Sequence, residues 1–100
     1  MLVERPDDAK ARQHLGDALY LWGDALAQAN QAAEALARYQ AAAEAVTPNA
    51  EMRTKMALMF ARLGRFPEAQ TELESALKLD ANFAPAQRML ADVKRRMEGK

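Results

Sequence analysis

The sequence predicts an all-α protein, and three observations carry that prediction. Alanine, leucine, methionine, glutamate, glutamine, arginine and lysine supply most of the residues, valine is scarce and isoleucine is absent. Those are the residues that lose least on entering a helix, and the β-branched set that favours strands is nearly missing. No stretch alternates apolar and polar residues with a period of two, whereas apolar residues recur at steps of three and four along the whole chain. Helix-ending residues punctuate that pattern at Asn30, Thr47-Pro48-Asn49, Gly64-Arg65-Phe66-Pro67 and Asp80-Ala81-Asn82.

The elements follow from these breaks. Pro6 stops whatever precedes it, and Asp7 or Asp8 is placed to accept from the free N–H groups of the next helix. From there Leu15, Leu19, Trp22 and Leu26 run without a breaker to Ala29, which predicts a long first helix with this stripe turned inward. Gly16 and Gly23 weaken it by roughly 1 kcal/mol each against alanine. Lying on one face, they mark a place where another backbone comes close. Asn30 tolerates the left-handed conformation and ends the helix.

The second helix is expected from about Gln31 to Val46, burying Ala35, Leu36, Tyr39, Ala42, Ala43 and Val46. A helix pair follows, from about Ala50 to Leu79. Its first member buries Met52, Met56, Met59, Phe60 and Leu63, and its second buries Phe66, Ala69, Leu73, Ala76 and Leu77. Gly64 suits the left-handed helix end, and Pro67 suits a first helical turn, where its missing N–H would have no partner. The last helix starts near Ala84 or Pro85, turns Met89, Leu90, Val93 and Met97 inward, and frays at Gly99.

The chain of 100 residues is one small domain at most, with 14 basic and 14 acidic side chains and a formal net charge of zero. No overall field therefore steers it toward nucleic acid or a membrane surface. The absence of cysteine excludes disulfides, thiolate metal sites and a cysteine nucleophile. The apolar runs are too short to span a bilayer, and Met1-Leu2-Val3-Glu4-Arg5-Pro6 lacks the features of an export signal, which leaves the compartment open.

Comparing the chain with itself at a shift of 34 residues superposes Trp22, Met56 and Leu90, followed by Gly23, Ala57 and Ala91. Leu26 falls on Phe60, Asn30 on Gly64, Glu34 on Glu68, Ala35 on Ala69, Tyr39 on Leu73 and Ala42 on Ala76. Small residues recur where two helices cross closely, and large ones fill the gaps. The motif Leu19-x-x-Trp22-Gly23-x-x-Leu26 with Ala35-x-x-x-Tyr39 and Pro48 resembles the tetratricopeptide repeat. So does the second copy, Met56-Ala57-x-x-Phe60, Leu63-Gly64-Arg65-Phe66-x-Glu68-Ala69-x-x-x-Leu73, Ala76-Leu77 and Leu79-Asp80. Arg53 and Ala81 depart from that family's pattern. Pro6-Asp7-Asp8-Ala9 with Leu15-Gly16 opens seven residues ahead of phase, close to two helical turns, which is why the first helix is expected to run long. Leu2 and Val3 would then end a preceding helix, as in a segment of a longer array.

The resemblance implies an α-solenoid of two tetratricopeptide-type helix pairs plus a C-terminal capping helix, wound into a right-handed superhelix. Repeat one would occupy about residues 9–49, repeat two 50–83 and the capping helix 84–98. It also implies non-catalytic recognition of a peptide or partner helix in a concave groove lined by the first helices of each pair, a scaffold or assembly role without cofactor or metal. Carried over by position, the groove would show Gln13, Asp17, Tyr20 and Asp24, with Lys10 beside them. Thr54, Leu58 and Arg62 follow with Glu51 and Lys55, then Arg88 and Asp92 with Arg95. Tyr20 and Leu58 would be its apolar contacts. The carboxylate clamp of chaperone-binding members is absent, because its positions hold Tyr20, Asp24, Lys55, Pro85 and Met89. The alternative role is self-association, as a homodimer formed through the long first helix or the exposed array ends.

Other chemistry has little support in the residues. His14, the one histidine, has Asp17 three positions on but no second histidine or cysteine to complete a ligand set. No phosphate loop, Ser/His/Asp set or HExxH helix occurs, and Asp7, Asp8, Asp17 and Asp24 read as caps and solvated residues, so no enzyme activity is expected. Arg88, Lys94, Arg95, Arg96 and Lys100 make the last helix basic, but no aromatic residues interleave with them, and nucleic acid is not expected as a partner. Heavy use of alanine and arginine fits a bacterial genome of high GC content.

Overall fold

A computed structural model describes residues 9–99. They form five helices: α1 (Ala9–Gln28), α2 (Ala32–Ala45), α3 (Ala50–Arg62), α4 (Phe66–Leu79) and α5 (Ala84–Glu98). No strand occurs among the described residues. The expected capping by Asp7 or Asp8, and the placement of Leu2 and Val3, fall outside them. Each helix packs mainly on its chain neighbours: α1 on α2, α2 on α3, α3 on α4 and α4 on α5, with α3 also touching α5. The body is elongated, 59 × 29 × 17 Å.

The turns repeat bond for bond at the predicted interval. Asn30 has φ 67° and Gly64 has φ 78°. At the first turn Asn30 N–H donates to Ala27 O at 3.1 Å and Gln31 N–H to Leu26 O at 2.9 Å. At the second, Gly64 N–H donates to Ala61 O at 3.0 Å and Arg65 N–H to Phe60 O at 2.8 Å. Both are the paired closure in which one left-handed residue satisfies the last carbonyls of a helix. The ends of α2 and α4 correspond too, because Val46 and Asp80 are both extended and donate to Ala42 O and Ala76 O. Asn49, which sequence reading used only to close α2, starts α3: its side chain accepts from Met52 N–H at 2.8 Å.

Ala35, Ala42, Ala57, Ala69, Ala76 and Ala86 are fully buried, where helices cross closely, and Tyr39, Met59, Leu73 and Val93 fill the space between them. Burial of each of those large side chains contributes on the order of 1.5–3 kcal/mol.

Several inward assignments are corrected. Leu15 is 55% exposed and Trp22 50% exposed, so they do not form the buried stripe of α1. That stripe is Gly16, Leu19, Tyr20, Gly23, Leu26 and Ala27. The glycines do make room, but for side chains rather than a backbone. A Cβ on Gly16 would lie 2.7 Å from Val46 Cγ1, and one on Gly23 would lie 2.7 Å from Tyr39 Cε1. Trp22 and Met56 hold equivalent chain positions with unequal burial, since Met56 is only 4% exposed. The reason is neighbours: α3 has α2, α4 and α5 around it, whereas α1 has chiefly α2. Met97 and Leu63, also expected inside, are 42% and 39% exposed near the ends of their helices.

Candidate functional site

Two clefts flank the middle of α3. The first is bounded by α3, the start of α4 and α5, and has a volume of about 530 Å³. Leu58, Phe66, Met89 and Val93 give it an apolar lining, while Arg62, Arg88, Asp92 and Arg96 supply charge. Arg62 reaches across to the end of α1, where its Nη1 donates to Ala27 O at 3.2 Å. Asp92 accepts from Arg95 Nη2 at 3.0 Å and from Arg96 Nε at 3.3 Å. The bond from Arg95, helped by the charge of Arg96, holds the Asp92 carboxyl below its ordinary range. With Asp92 so compensated, the cleft presents cationic groups over an apolar lining.

The second cleft, about 600 Å³, lies between the first half of α1, the α2–α3 turn and the start of α3. Gln13, Asp17 and Tyr20 face Val46, Asn49 and Glu51 there. Gln13 Nε2 donates to Asp17 Oδ1 at 3.0 Å, one helical turn on, which orients both side chains. This cleft is the more polar of the two.

Between the positions that α3 contributes to these clefts lies Lys55, the centre of a cluster. Asp24 Oδ1 accepts from Tyr39 OH at 2.5 Å and from Lys55 Nζ at 3.0 Å. The Lys55 ammonium also sits 4.7 Å from the centre of the Tyr20 ring and 3.8 Å from Glu51 Oε2. The Tyr20 and Tyr39 rings are tilted at 52° with centroids 5.6 Å apart. Burial pushes the Tyr39 hydroxyl well above its ordinary pKa of 10.0, and its bond to Asp24 pushes the same way. Burial raises Tyr20 as well, against the opposing effect of Lys55. For Lys55 burial acts downward, but the oxygens of Tyr20 and Asp24 outweigh it and the ammonium titrates above 10.5. The Tyr20 hydroxyl is buried and feels the Lys55 charge without a hydrogen bond of full geometry to any group.

The expected groove residues thus divide. Leu58, Arg62, Arg88 and Asp92 meet in the first cleft, and Gln13, Asp17 and Tyr20 in the second. Asp24 is engaged by Tyr39 and Lys55, which ties α1 to both α2 and α3. Thr54 is corrected: it is 6% exposed, and its Oγ1 donates to Ala50 O at 2.8 Å, so it faces the interior. Tyr20, expected as an open aromatic contact, packs partly against the core. Sequence reading missed Phe66 and Met89 as cleft lining, since apolar residues at helical spacing read as core. Their place in the first turn of α4 and opposite Leu58 on α5 was the available signal.

Among the described residues no three His, Cys, Asp or Glu side chains gather as a metal set, and no helix is long and apolar enough to cross a membrane. No protein-family model and no curated protein matches the sequence.

Proposed function

We propose that the chain is a tetratricopeptide-type helical repeat module, two helix pairs and a capping helix in a right-handed superhelix, that recognises a protein segment without catalysis. The recurrence of the same turn at Asn30 and Gly64 supports the repeat reading. The observation that carries the functional reading is the α3–α5 cleft, in which Arg62 and Arg88 stand beside the apolar side chains of Leu58, Phe66 and Met89. That chemistry fits a segment, extended or helical, that carries an apolar side chain next to a carboxylate. The polar cleft of Gln13, Asp17 and Tyr20 would then hold the same segment further along by hydrogen bonds.

The test is selection from a random-peptide phage library, followed by titration of the enriched peptides. Enrichment of acidic–apolar sequences whose affinity falls at least tenfold in Arg88→Glu, but not in Lys94→Glu outside the cleft, supports the proposal. Enriched peptides that bind Arg88→Glu and Leu58→Ala as well as the parent chain would remove it. Self-association is the second reading, favoured by Leu15, Leu21 and Trp22 standing open on α1.

A further inference from the structure

We propose that the outer face of α1 is a docking surface for a second copy of this chain, which lays its own α1 against it in antiparallel fashion. The inference specifies the self-association reading above and is independent of the clefts. Leu15, Ala18, Trp22, Ala25 and Ala29 are all exposed. Their steps alternate between three and four residues, the spacing of a coiled-coil seam. Arg38 holds Trp22 in place from α2, with its guanidinium carbon 3.9 Å from the centre of the ring.

The order of sizes along the seam selects the partner. If two such helices pair antiparallel about a two-fold axis beside Tyr20, Leu15 meets Ala25 of the second copy and Trp22 meets Ala18. Each large side chain finds a small one, and the alanines let the axes approach to roughly 8 Å. Parallel pairing sets Trp22 against Trp22 and leaves alanine layers empty. At the midpoint Leu19 and Leu21 flank the seam and meet their own copies, which covers Leu21, 65% exposed in the single chain. At the ends His14 meets Gln28, while Asp17 and Asp24 lie on the cleft side of the helix, away from the contact. A charge-free, self-complementary stripe of this kind calls for a copy of itself, and a two-fold contact closes at the dimer.

The size of the stripe sets the strength. With half of Leu15 and Trp22, most of Leu21 and three alanines available, each copy offers on the order of 500 Å². The pair would bury about 1,000 Å², near the lower edge of specific interfaces, which fits a micromolar dimer and not an obligate one.

Trp22 is the one tryptophan and the chain holds no cysteine, so both fluorescence and engineered thiols report on this surface alone. Sedimentation velocity over a hundredfold concentration range is expected to show a monomer–dimer equilibrium, with tryptophan emission shifting to the blue as the dimer forms. Trp22→Glu and Ala18→Leu, the second of which keeps a strong helix former while blocking the pocket for Trp22, should each be monomeric with unchanged helicity and Tm. Under a short bismaleimide, Ala18→Cys should cross-link to itself and Ala29→Cys, far from the axis, should not. A monomer at every concentration overturns the proposal and the self-association reading together. A dimer that persists in both seam variants, or that cross-links equally through residue 29, overturns the proposal alone.

Discussion

Gly23 and Tyr39 offer a sharp test of how the two helix pairs are built. Alanine at position 23 gains about 1 kcal/mol in helix propensity. Against that, its Cβ would sit 2.7 Å from Cε1 and 2.8 Å from Cδ1 of Tyr39. The ring cannot swing away, since Tyr39 is 1% exposed, its hydroxyl is bonded to Asp24 and its face meets Tyr20. Overpacking against a ring so fixed costs about 1–3 kcal/mol. Gly23→Ala should therefore lose up to about 2 kcal/mol net, a fall in Tm of up to about 15 °C for a domain this small. Tyr39→Leu alone leaves a cavity and removes a hydrogen bond to a charged group, for a loss of about 2–4 kcal/mol. The double variant reproduces the pair found 34 positions on, Ala57 and Leu73, both fully buried. There the new methyl has room, so the double variant should be more stable than the sum of the single losses by about 1–3 kcal/mol. Urea unfolding followed by far-ultraviolet circular dichroism measures all four corners of the cycle. A stabilised Gly23→Ala, or strict additivity, would refute the reasoning.

The other predictions concern turns, caps and titration. Gly64→Ala should cost about 1 kcal/mol in urea unfolding although no atom lies within 4 Å of the new Cβ, because φ there is 78°. Asn49→Ala removes the acceptor for Met52 N–H and should cost about 1 kcal/mol, with faster amide exchange confined to the first turn of α3. Tyr20→Phe should change stability in urea unfolding little, by less than about 1 kcal/mol, because the buried hydroxyl it removes makes no hydrogen bond of full geometry and only its pull on the Lys55 ammonium is lost. Tyr20, Tyr39 and Lys55 all titrate above their ordinary values, so the folded chain keeps protons that the unfolded chain releases above about pH 10. Their contribution is whole at neutral pH and declines as pH rises beyond 10, and Tyr39→Phe should flatten the alkaline limb of a stability–pH curve.

The fold was legible where local chemistry acts alone. Asn30 and Gly64 end their helices because few residues adopt positive φ, a preference that needs no knowledge of neighbours. The starts at Phe66 and Ala84 follow as locally from Pro67 and Pro85, whereas the cap that Asn49 supplies to α3 was missed. The facing of α1 was not legible, because the helix carries two apolar stripes that helical periodicity cannot rank. Leu15 and Trp22 are larger than Gly16 and Gly23, so hydrophobicity alone chose the wrong one. Shape decides: Tyr39 and Val46 need the space that glycine leaves, and α2 settles on the poorer stripe by composition.

The same logic explains the candidate site. Positions carried over by register found the first-cleft side chains Leu58, Arg62, Arg88 and Asp92, because α3 and α5 present equivalent faces to one opening. Register failed at Asp24, which could not be recognised as engaged without Lys55, 31 positions later, closing on it from another helix. It failed at Thr54 because this wheel position turns toward the interior on both helices, fully on α3, which is enclosed on more sides, and partly at its counterpart Tyr20 on α1. An outer helix and an inner helix built on one repeat therefore expose different residues to a partner. The face that α1 leaves open, Leu15 and Trp22, is the counterpart of surface that α3 buries with Met56 against its neighbours. That is why the exposed apolar stripe of α1 lies where the repeat pattern had placed its core.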